Sequence, residues 1–114
     1  MTIKEFKIQY ALGTISYEDK LDIAKTTTSK EMLTYLSRDE DWYVRALITK
    51  NRVVSKKILM ELSKDEDWGV KSSVASNKNT PTEILTELSK DKNRYVKMAA
   101  TTNARERKSK GAIK

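Results

Sequence analysis

The stretch NKNTPTEILTELSKDKNRYVKMAATTN, residues 77 to 103, decides the fold because its pattern occurs twice more upstream at a spacing of 26 residues. Five columns of residues stay in register across the three copies: Leu33, Leu59 and Leu85; Leu36, Leu62 and Leu88; Asp39, Asp65 and Asp91; Val44, Val70 and Val96; Asn51, Asn77 and Asn103. A period of roughly 20 to 50 residues is typical of one supersecondary unit that stacks on its neighbours. The sequence therefore predicts a repeat array.

Each repeat has the pattern of a helix, an acidic turn and a shorter second helix. Met32, Leu33 and Leu36 form the apolar stripe of one first helix. The predicted N-caps of the second helices are Asp41, Asp67 and Asn93. The predicted buried positions of the second helices are Val44 and Ile48, Val70 and Val74, and Val96 and Ala100. Asn51, Asn77 and Asn103 are expected to end them, because asparagine tolerates the left-handed conformation.

The starts of the first helices also carry capping signals. Thr28 and Glu31 have the spacing of a capping box, and Thr80 and Glu83 repeat it. Pro81 suits the first helical position, where its missing N–H costs nothing. The middle repeat lacks the box, and Ser55 is its predicted cap.

The two ends of the chain depart from the repeat. In residues 1–25 the spacing predicts a helix from Ile3 to Gly13 and a second one, capped by Ser16, to about Lys25. We interpret this segment as a degenerate, N-terminal capping repeat. Residues 26–103 are the three repeats, and 104–114 are a basic tail whose removal should leave stability almost unchanged. The predicted fold is all-α, a short α-solenoid within one domain.

The composition of the 114-residue chain narrows the function. Cysteine and histidine are absent, which removes disulfides, the usual transition-metal ligands and the easiest general base near neutral pH. We therefore expect no enzyme, no cofactor and no small-molecule substrate. The N-terminus has charged residues within its apolar pattern, so we expect neither a signal peptide nor a membrane span, and a cytoplasmic location.

The charge is unevenly distributed. Of the net +7, residues 1–103 hold 18 Lys and Arg against 15 Asp and Glu, a net of +3. The tail holds the other +4, through Arg105, Arg107, Lys108, Lys110 and Lys114 against Glu106. A nearly balanced body favours a protein partner, whereas the tail favours a polyanion.

The third repeat, N-K-N-T-P-T-E-I-L-T-E-L-S-K-D-K-N-R-Y-V-K-M-A-A-T-T-N, resembles the leucine-rich repeat variant family, whose units follow Asn-Pro-x-Thr-Pro, Leu-x-x-Leu, Asp, Val-Arg and Val-Ala. Residues 26–103 carry the resemblance, with Arg52 and Lys78 where the family often has proline. It implies alternating α and short, often 3₁₀, helices in a right-handed superhelix close to HEAT repeats. It also implies a binding scaffold with no shared catalytic residues.

A basic column is the first candidate site. Arg45, Lys71 and Lys97 each follow the buried valine of a second helix. Because stacked helices lie about 8 to 10 Å apart, the column could follow a phosphate backbone. The alternative is that these cations pair with Asp39, Asp65 and Asp91, or with the acidic turn of an adjacent repeat. A second column of Arg38, Lys64 and Lys90 is explained by the dipoles of the first helices.

Aromatic residues are the second candidate. Trp42 and Trp68 begin successive second helices and are expected to seal the gap between repeats. Tyr43 and Tyr95 point away from the buried valines and, with Arg45 and Lys97, could form a surface for a protein or nucleic acid. The acidic turns lack the glycine and distal glutamate of a calcium loop, so capping explains them better than a metal site.

These residues suit a binding module. The leading interpretation is a non-catalytic scaffold that binds a protein partner and acts as an inhibitor-like module by masking the partner's surface. The alternative is binding to a nucleic-acid backbone through the basic column and tail. An enzyme, such as a HEAT-like DNA glycosylase, is the least favoured class, because three repeats are few to wrap a duplex.

Overall fold

The computed structural model describes residues 1–113, with side chains described as far as Lys110. Within that range the chain is all-helical and contains no strand. The helices are α1 (Ile3–Leu12), α2 (Tyr17–Thr26), α3 (Lys30–Leu36), α4 (Trp42–Ile48), α5 (Lys56–Leu62), α6 (Trp68–Ser76), α7 (Thr82–Leu88) and α8 (Arg94–Ile113). The predicted all-α class is confirmed.

The even-numbered helices form one continuous row. α2 packs on α4, α4 on α6 and α6 on α8, while α3, α5 and α7 each pack on the even-numbered helix that follows them. We call α2, α4, α6 and α8 the second helices, and α1, α3, α5 and α7 the first helices. The molecule measures 48 × 31 × 21 Å.

The core lies between these two sets of helices and uses the predicted columns. All six predicted valine, isoleucine and alanine positions of the second helices are fully buried. The leucine columns of the first helices are at most 3% exposed. The repeat register therefore predicts the core correctly in all three copies.

The predicted caps of the second helices are confirmed. Ser16 accepts a hydrogen bond from the amide of Asp19, and Asp41 accepts one from the amide of Tyr43. Asp67 and Asn93 each accept from the amides two and three residues further on. Gly13 ends α1 in the left-handed conformation, with φ 70°.

Two predicted capping boxes of the first helices are wrong. The N-cap of α3 is Ser29, which accepts from the amide of Met32, so Thr28 plays no capping part. Thr80 is buried and donates its hydroxyl hydrogen bond to the carbonyl of Val74, and Pro81 stands one residue before α7. Ser55 caps α5 as predicted, in register with Ser29.

The asparagine column does not end the second helices in the left-handed conformation as predicted; Asn77 alone is a C-cap, of α6, and it is extended. No residue other than glycine has a positive φ in the part of the chain described. Instead, the amides reach back to the preceding repeat: Asn51 donates to the carbonyls of Ala24 and Thr27, both at 3.0 Å. Asn77 donates to Thr49, and Asn103 to Ala75 and Asn77. The column joins neighbouring repeats.

The last second helix does not end at Asn103. α8 continues as one helix to Ile113, so the predicted tail, Lys114 aside, extends α8; Lys114 lies outside the described residues. The Arg107 guanidinium donates to the carbonyls of Lys78 at 2.8 Å and Asn77 at 3.3 Å. This arginine therefore ties the extension to the loop that follows α6.

Candidate partner-binding surface

Ion pairs connect each repeat to the next. Lys20 pairs with Asp39 at 3.0 Å, Arg45 with Asp65 at 2.8 Å and Lys71 with Asp91 at 2.6 Å. The side chains of all three aspartates are at most 14% exposed. Each cation lies on a second helix and reaches the acidic turn of the following repeat. We call these three pairs the rungs.

The rung aspartates also hold the acidic turns. Asp39, Asp65 and Asp91 each accept a hydrogen bond from the backbone amide two residues further on, at 2.8 to 2.9 Å. Burial alone would raise the pKa of Asp39, but bonds from Tyr10, the Asp41 amide and Lys20 hold that pKa below its usual value. The pKa of Asp91 is lowered in the same way, by Lys71 and the Asn93 amide against its burial.

Because of the rungs, most of the basic column is not available to a ligand. Arg45 and Lys71 are engaged inside the molecule, and Arg45 also donates to the carbonyl of Asp39 at 2.7 Å. Lys97 is exposed and forms no salt bridge among the described residues. Of the three predicted contact residues in this column, Lys97 alone has its charge in solvent.

Five aromatic side chains, unlike those of Arg45 and Lys71, are about half exposed to solvent. Tyr17, Trp42, Tyr43, Trp68 and Tyr95 all lie in the first turn of a second helix, and each is 42 to 55% exposed. We call these five residues the aromatic edge. They follow the row of second helices across all four units. Large aromatic side chains that stay half exposed are available to a partner.

Contacts between neighbouring units order this edge. The Trp68 ring stacks on Tyr95 of the next repeat, with centroids 5.2 Å apart. Trp42 packs over Gly69 of the next repeat, where an added Cβ would lie 3.1 Å from Cζ3 of the indole. The tryptophans therefore close the gaps between repeats, as predicted, and remain half exposed while doing so.

A groove extends the edge along α6 and α8. It encloses about 520 Å³, and its apolar lining comes from Trp68, Tyr95, Met98 and Ala99. Met98 is 58% exposed. Ser72, Ser76, Thr102 and Asn103 add polar groups to the lining, and Lys78 and Glu106 add one charge of each sign. The groove is large enough to accept more than one side chain of a partner.

Carboxylates border the aromatic edge. Glu18, Glu40 and Glu66 are exposed and lie within two residues of Tyr17, Trp42 and Trp68. At the edge itself, desolvation and the neighbouring Asp41 carboxylate raise the pKa of Tyr17. In the third repeat the same positions carry Lys92 and Arg94. The edge is thus acidic over the first three units and basic at the fourth.

The cations are concentrated on α8. This helix holds Arg94, Lys97, Arg105, Arg107, Lys108 and Lys110 against Glu106, a net of +5. Arg105, Lys108 and Lys110 are exposed, whereas Arg107 is engaged by the loop after α6. The predicted basic tail, as far as Lys110, is therefore part of a continuous helix that carries its cations on several sides.

The sequence predicts Tyr43 and Tyr95 as contact residues but not the other three members of the aromatic edge, Tyr17, Trp42 and Trp68. Tyr17 follows the Ser16 cap as Trp42 follows Asp41, and this register was the signal that could have placed it. The sequence does not predict that the tryptophans are exposed, because a tryptophan at a repeat junction is equally compatible with burial.

The described residues contain neither a cluster of metal-ligand side chains nor a membrane-spanning helix. No three carboxylates come together there in a way that could hold a metal ion, and none of the helices among them is long and apolar enough to cross a membrane. Comparison of the chain with models of protein families, with curated proteins and with solved structures gives no significant match.

Proposed function

We propose that this chain is a non-catalytic scaffold of HEAT-like, leucine-rich-variant repeats that binds a protein partner through its aromatic edge. Tyr43 and Tyr95, already candidates from the sequence, are two of its contact residues, and Trp42 and Trp68 are the others. Tyr17 extends the contact onto the first unit.

Regular contacts between repeats support the solenoid part of this proposal. The asparagine bonds and the rungs join equivalent positions at nearly constant sequence separations, 24 to 28 residues for the first and 19 or 20 for the second. A chain whose units make the same contacts with the next unit stacks in one direction. The row α2, α4, α6 and α8 is the surface that such stacking would present.

The half exposure of the anchored aromatics is the single observation that carries the function. Trp68 is fixed by Tyr95 and Trp42 by the backbone at Gly69, yet both indoles are about half exposed. Fixed side chains lose little conformational entropy when a partner covers them. Tryptophan and tyrosine are also the residues most enriched among binding hot spots.

Masking is the activity to which such a surface is suited. The aromatic edge crosses all four second helices, so a bound partner would be covered across all four units. A module without catalytic groups acts by occupying a surface. We therefore keep an inhibitor-like role as part of the proposal.

A nucleic-acid backbone is the second candidate ligand, and α8 favours it. The exposed cations Lys97, Arg105, Lys108 and Lys110 lie on this one helix. Three or four phosphate contacts would give a log-log salt slope of about −3 to −4. The rungs count against the original basic column, since Arg45 and Lys71 already have carboxylate partners.

The test compares two surfaces of the same chain. Protein retained from nuclease-treated lysate is compared for wild type, a Trp42→Ser/Trp68→Ser variant and Met60→Ser, which removes a 47% exposed apolar side chain from the first helix α5. We expect the double variant to lose a partner that wild type and Met60→Ser retain. Equal retention by all three, with a salt-sensitive gel shift abolished by Lys97→Glu/Lys108→Glu, would favour nucleic acid instead.

A further inference from the structure

We infer, on the basis of the proposed function, that the aromatic edge recognises a basic segment of its protein partner, one that presents arginine or lysine side chains. The inference goes beyond the sequence-based expectation of an aromatic and basic surface. It rests on which charges are free next to the exposed rings and which are already neutralised.

Carboxylates are the charged groups nearest to the edge in sequence over its first three units, with the exposed cations Arg38 and Lys64 at the start of the same turns. Arg45 and Lys71, the cations that sequence analysis assigned to this surface, are engaged by Asp65 and Asp91. Glu40 and Glu66 stay exposed in the same turns, and Asp41 and Asp67 cap the helices that begin with the tryptophans. A ligand that approaches Trp42 or Trp68 therefore meets carboxylates.

The fourth unit contains an internal example of the contact. Arg94 occupies the column of the two tryptophans, and its guanidinium carbon lies 5.8 Å from the ring centroid of Tyr95. A guanidinium within about 6 Å of an aromatic centroid is attracted by the negative face of the ring. Trp42, Tyr43 and Tyr17 present half-exposed rings of the same kind, but have no such cation of their own among the described contacts.

The aromatic edge is poorly suited to binding a phosphate backbone. The carboxylates of Glu18, Glu40 and Glu66 would repel a phosphate backbone laid along the rings. A cationic side chain gains from the same groups, since the carboxylates attract it and the exposed ring faces bind it.

The probe is a capped hexa-arginine peptide, with a capped hexaglutamate peptide as its opposite. The chain contains two tryptophans, both on the edge, so their fluorescence reports binding there without a label. We expect a saturable change in emission with hexa-arginine and none with hexaglutamate, although the chain's net charge of +7 would favour the acidic peptide.

Two matched double variants distinguish the effect of charge at the aromatic edge on peptide binding from the effect of the protein's overall charge. Glu40→Gln/Glu66→Gln removes two carboxylates at the edge, while Glu61→Gln/Glu83→Gln removes two exposed carboxylates from the first helices α5 and α7. We expect the edge variant to weaken hexa-arginine binding about three- to tenfold, and the control variant to change it less than about twofold. Circular dichroism of each variant confirms that it is folded.

Three results would overturn the inference. Equal weakening by both variants would mean that the peptide responds to overall charge. Saturable binding of hexaglutamate at the tryptophans would reverse the assigned chemistry. Concentration-dependent self-association in sedimentation that Glu40→Gln/Glu66→Gln abolishes would make the basic α8 of a second copy the occupant.

Failure of this inference is distinguishable from failure of the proposed function. If Trp42→Ser/Trp68→Ser loses the retained protein partner but Glu40→Gln/Glu66→Gln keeps it, the edge binds a partner whose segment is not basic. If neither variant loses it, the edge is not the binding surface.

Discussion

The guanidinium of Arg45 donates two hydrogen bonds, at 2.8 and 3.1 Å, to the carboxylate of Asp65, which belongs to the next repeat. Asp65 in turn accepts a hydrogen bond from the backbone amide of Asp67, which is the N-cap of the helix that begins with Trp68. One ion pair therefore fixes the acidic turn, the start of the following second helix and the tryptophan at that start. The rungs therefore hold the aromatic residues of neighbouring units at a regular spacing.

Removing a rung should destabilise the protein, whereas removing the unpaired cation of the same column should not. The side chains of Arg45 and Asp65 are only 14% and 10% exposed. We expect Arg45→Met to lower the free energy of unfolding by about 1.5 to 3 kcal/mol, the range for hydrogen bonds to charged groups. Lys97→Met should stay within about 0.5 kcal/mol. Urea titration checks both, and equal effects would mean that the rung is not structural.

The asparagine column should be as important as the rungs. Asn51 is 2% exposed and satisfies two backbone carbonyls of the preceding unit. We expect Asn51→Ala to cost about 2 to 3 kcal/mol, because it leaves those buried carbonyls unpaired. Asn51→Asp should cost more, since it sets a carboxylate against carbonyl oxygens. If thermal unfolding shows Asn51→Asp to be the milder change, the carbonyl contacts are misassigned.

Acid should loosen the junctions between repeats. Asp39 and Asp91 have pKa values below their ordinary 3.8 in the folded protein, so their contribution to stability is complete above that value. It is lost as pH falls through the lowered folded pKa. The free energy of unfolding should therefore fall steeply below about pH 4. Asp39→Asn should lower stability at neutral pH and make the acid dependence shallower; an unchanged slope would show that Asp39 is not a source of it.

The extension of α8 should contribute to stability, contrary to the expectation from sequence. Arg107 bonds to the carbonyls of Asn77 and Lys78, and these bonds disappear if the chain is cut after Asn103. We expect Arg107→Ala to cost about 1 kcal/mol and to lower the melting temperature by about 4 °C. Lys108→Ala, an exposed neighbour on the same helix, is the control and should have almost no effect. A truncated chain that melts at the wild-type temperature would restore the original expectation.

The repeat register predicted those features that depend on burial. Val44, Val70 and Val96 recur every 26 residues because each faces the same core, and the buried columns could be assigned from that spacing alone. Asp41, Asp67 and Asn93 were also assigned correctly, since a cap acts on the amides two or three residues away.

Contacts between repeats could not be assigned from local signals. Asn51 has the residue type of a helix terminator, and only the position of Ala24 and Thr27 in the preceding unit shows that it is a donor between units. Thr80 has the type of an N-cap, but the buried carbonyl of Val74 takes its hydroxyl. The sequence allows two interpretations of Arg45, because its partner lies 20 residues away.

A photo-reactive phenylalanine analogue placed at position 68 tests the central claim most directly. The matched control carries the same analogue at position 60, which is equally exposed on a first helix. The proposed surface predicts that irradiation in lysate joins the chain to a discrete protein from position 68 and not from position 60. Nucleic-acid adducts at position 68, or the same protein adduct from both positions, would contradict the assignment of the aromatic edge as a protein-binding surface.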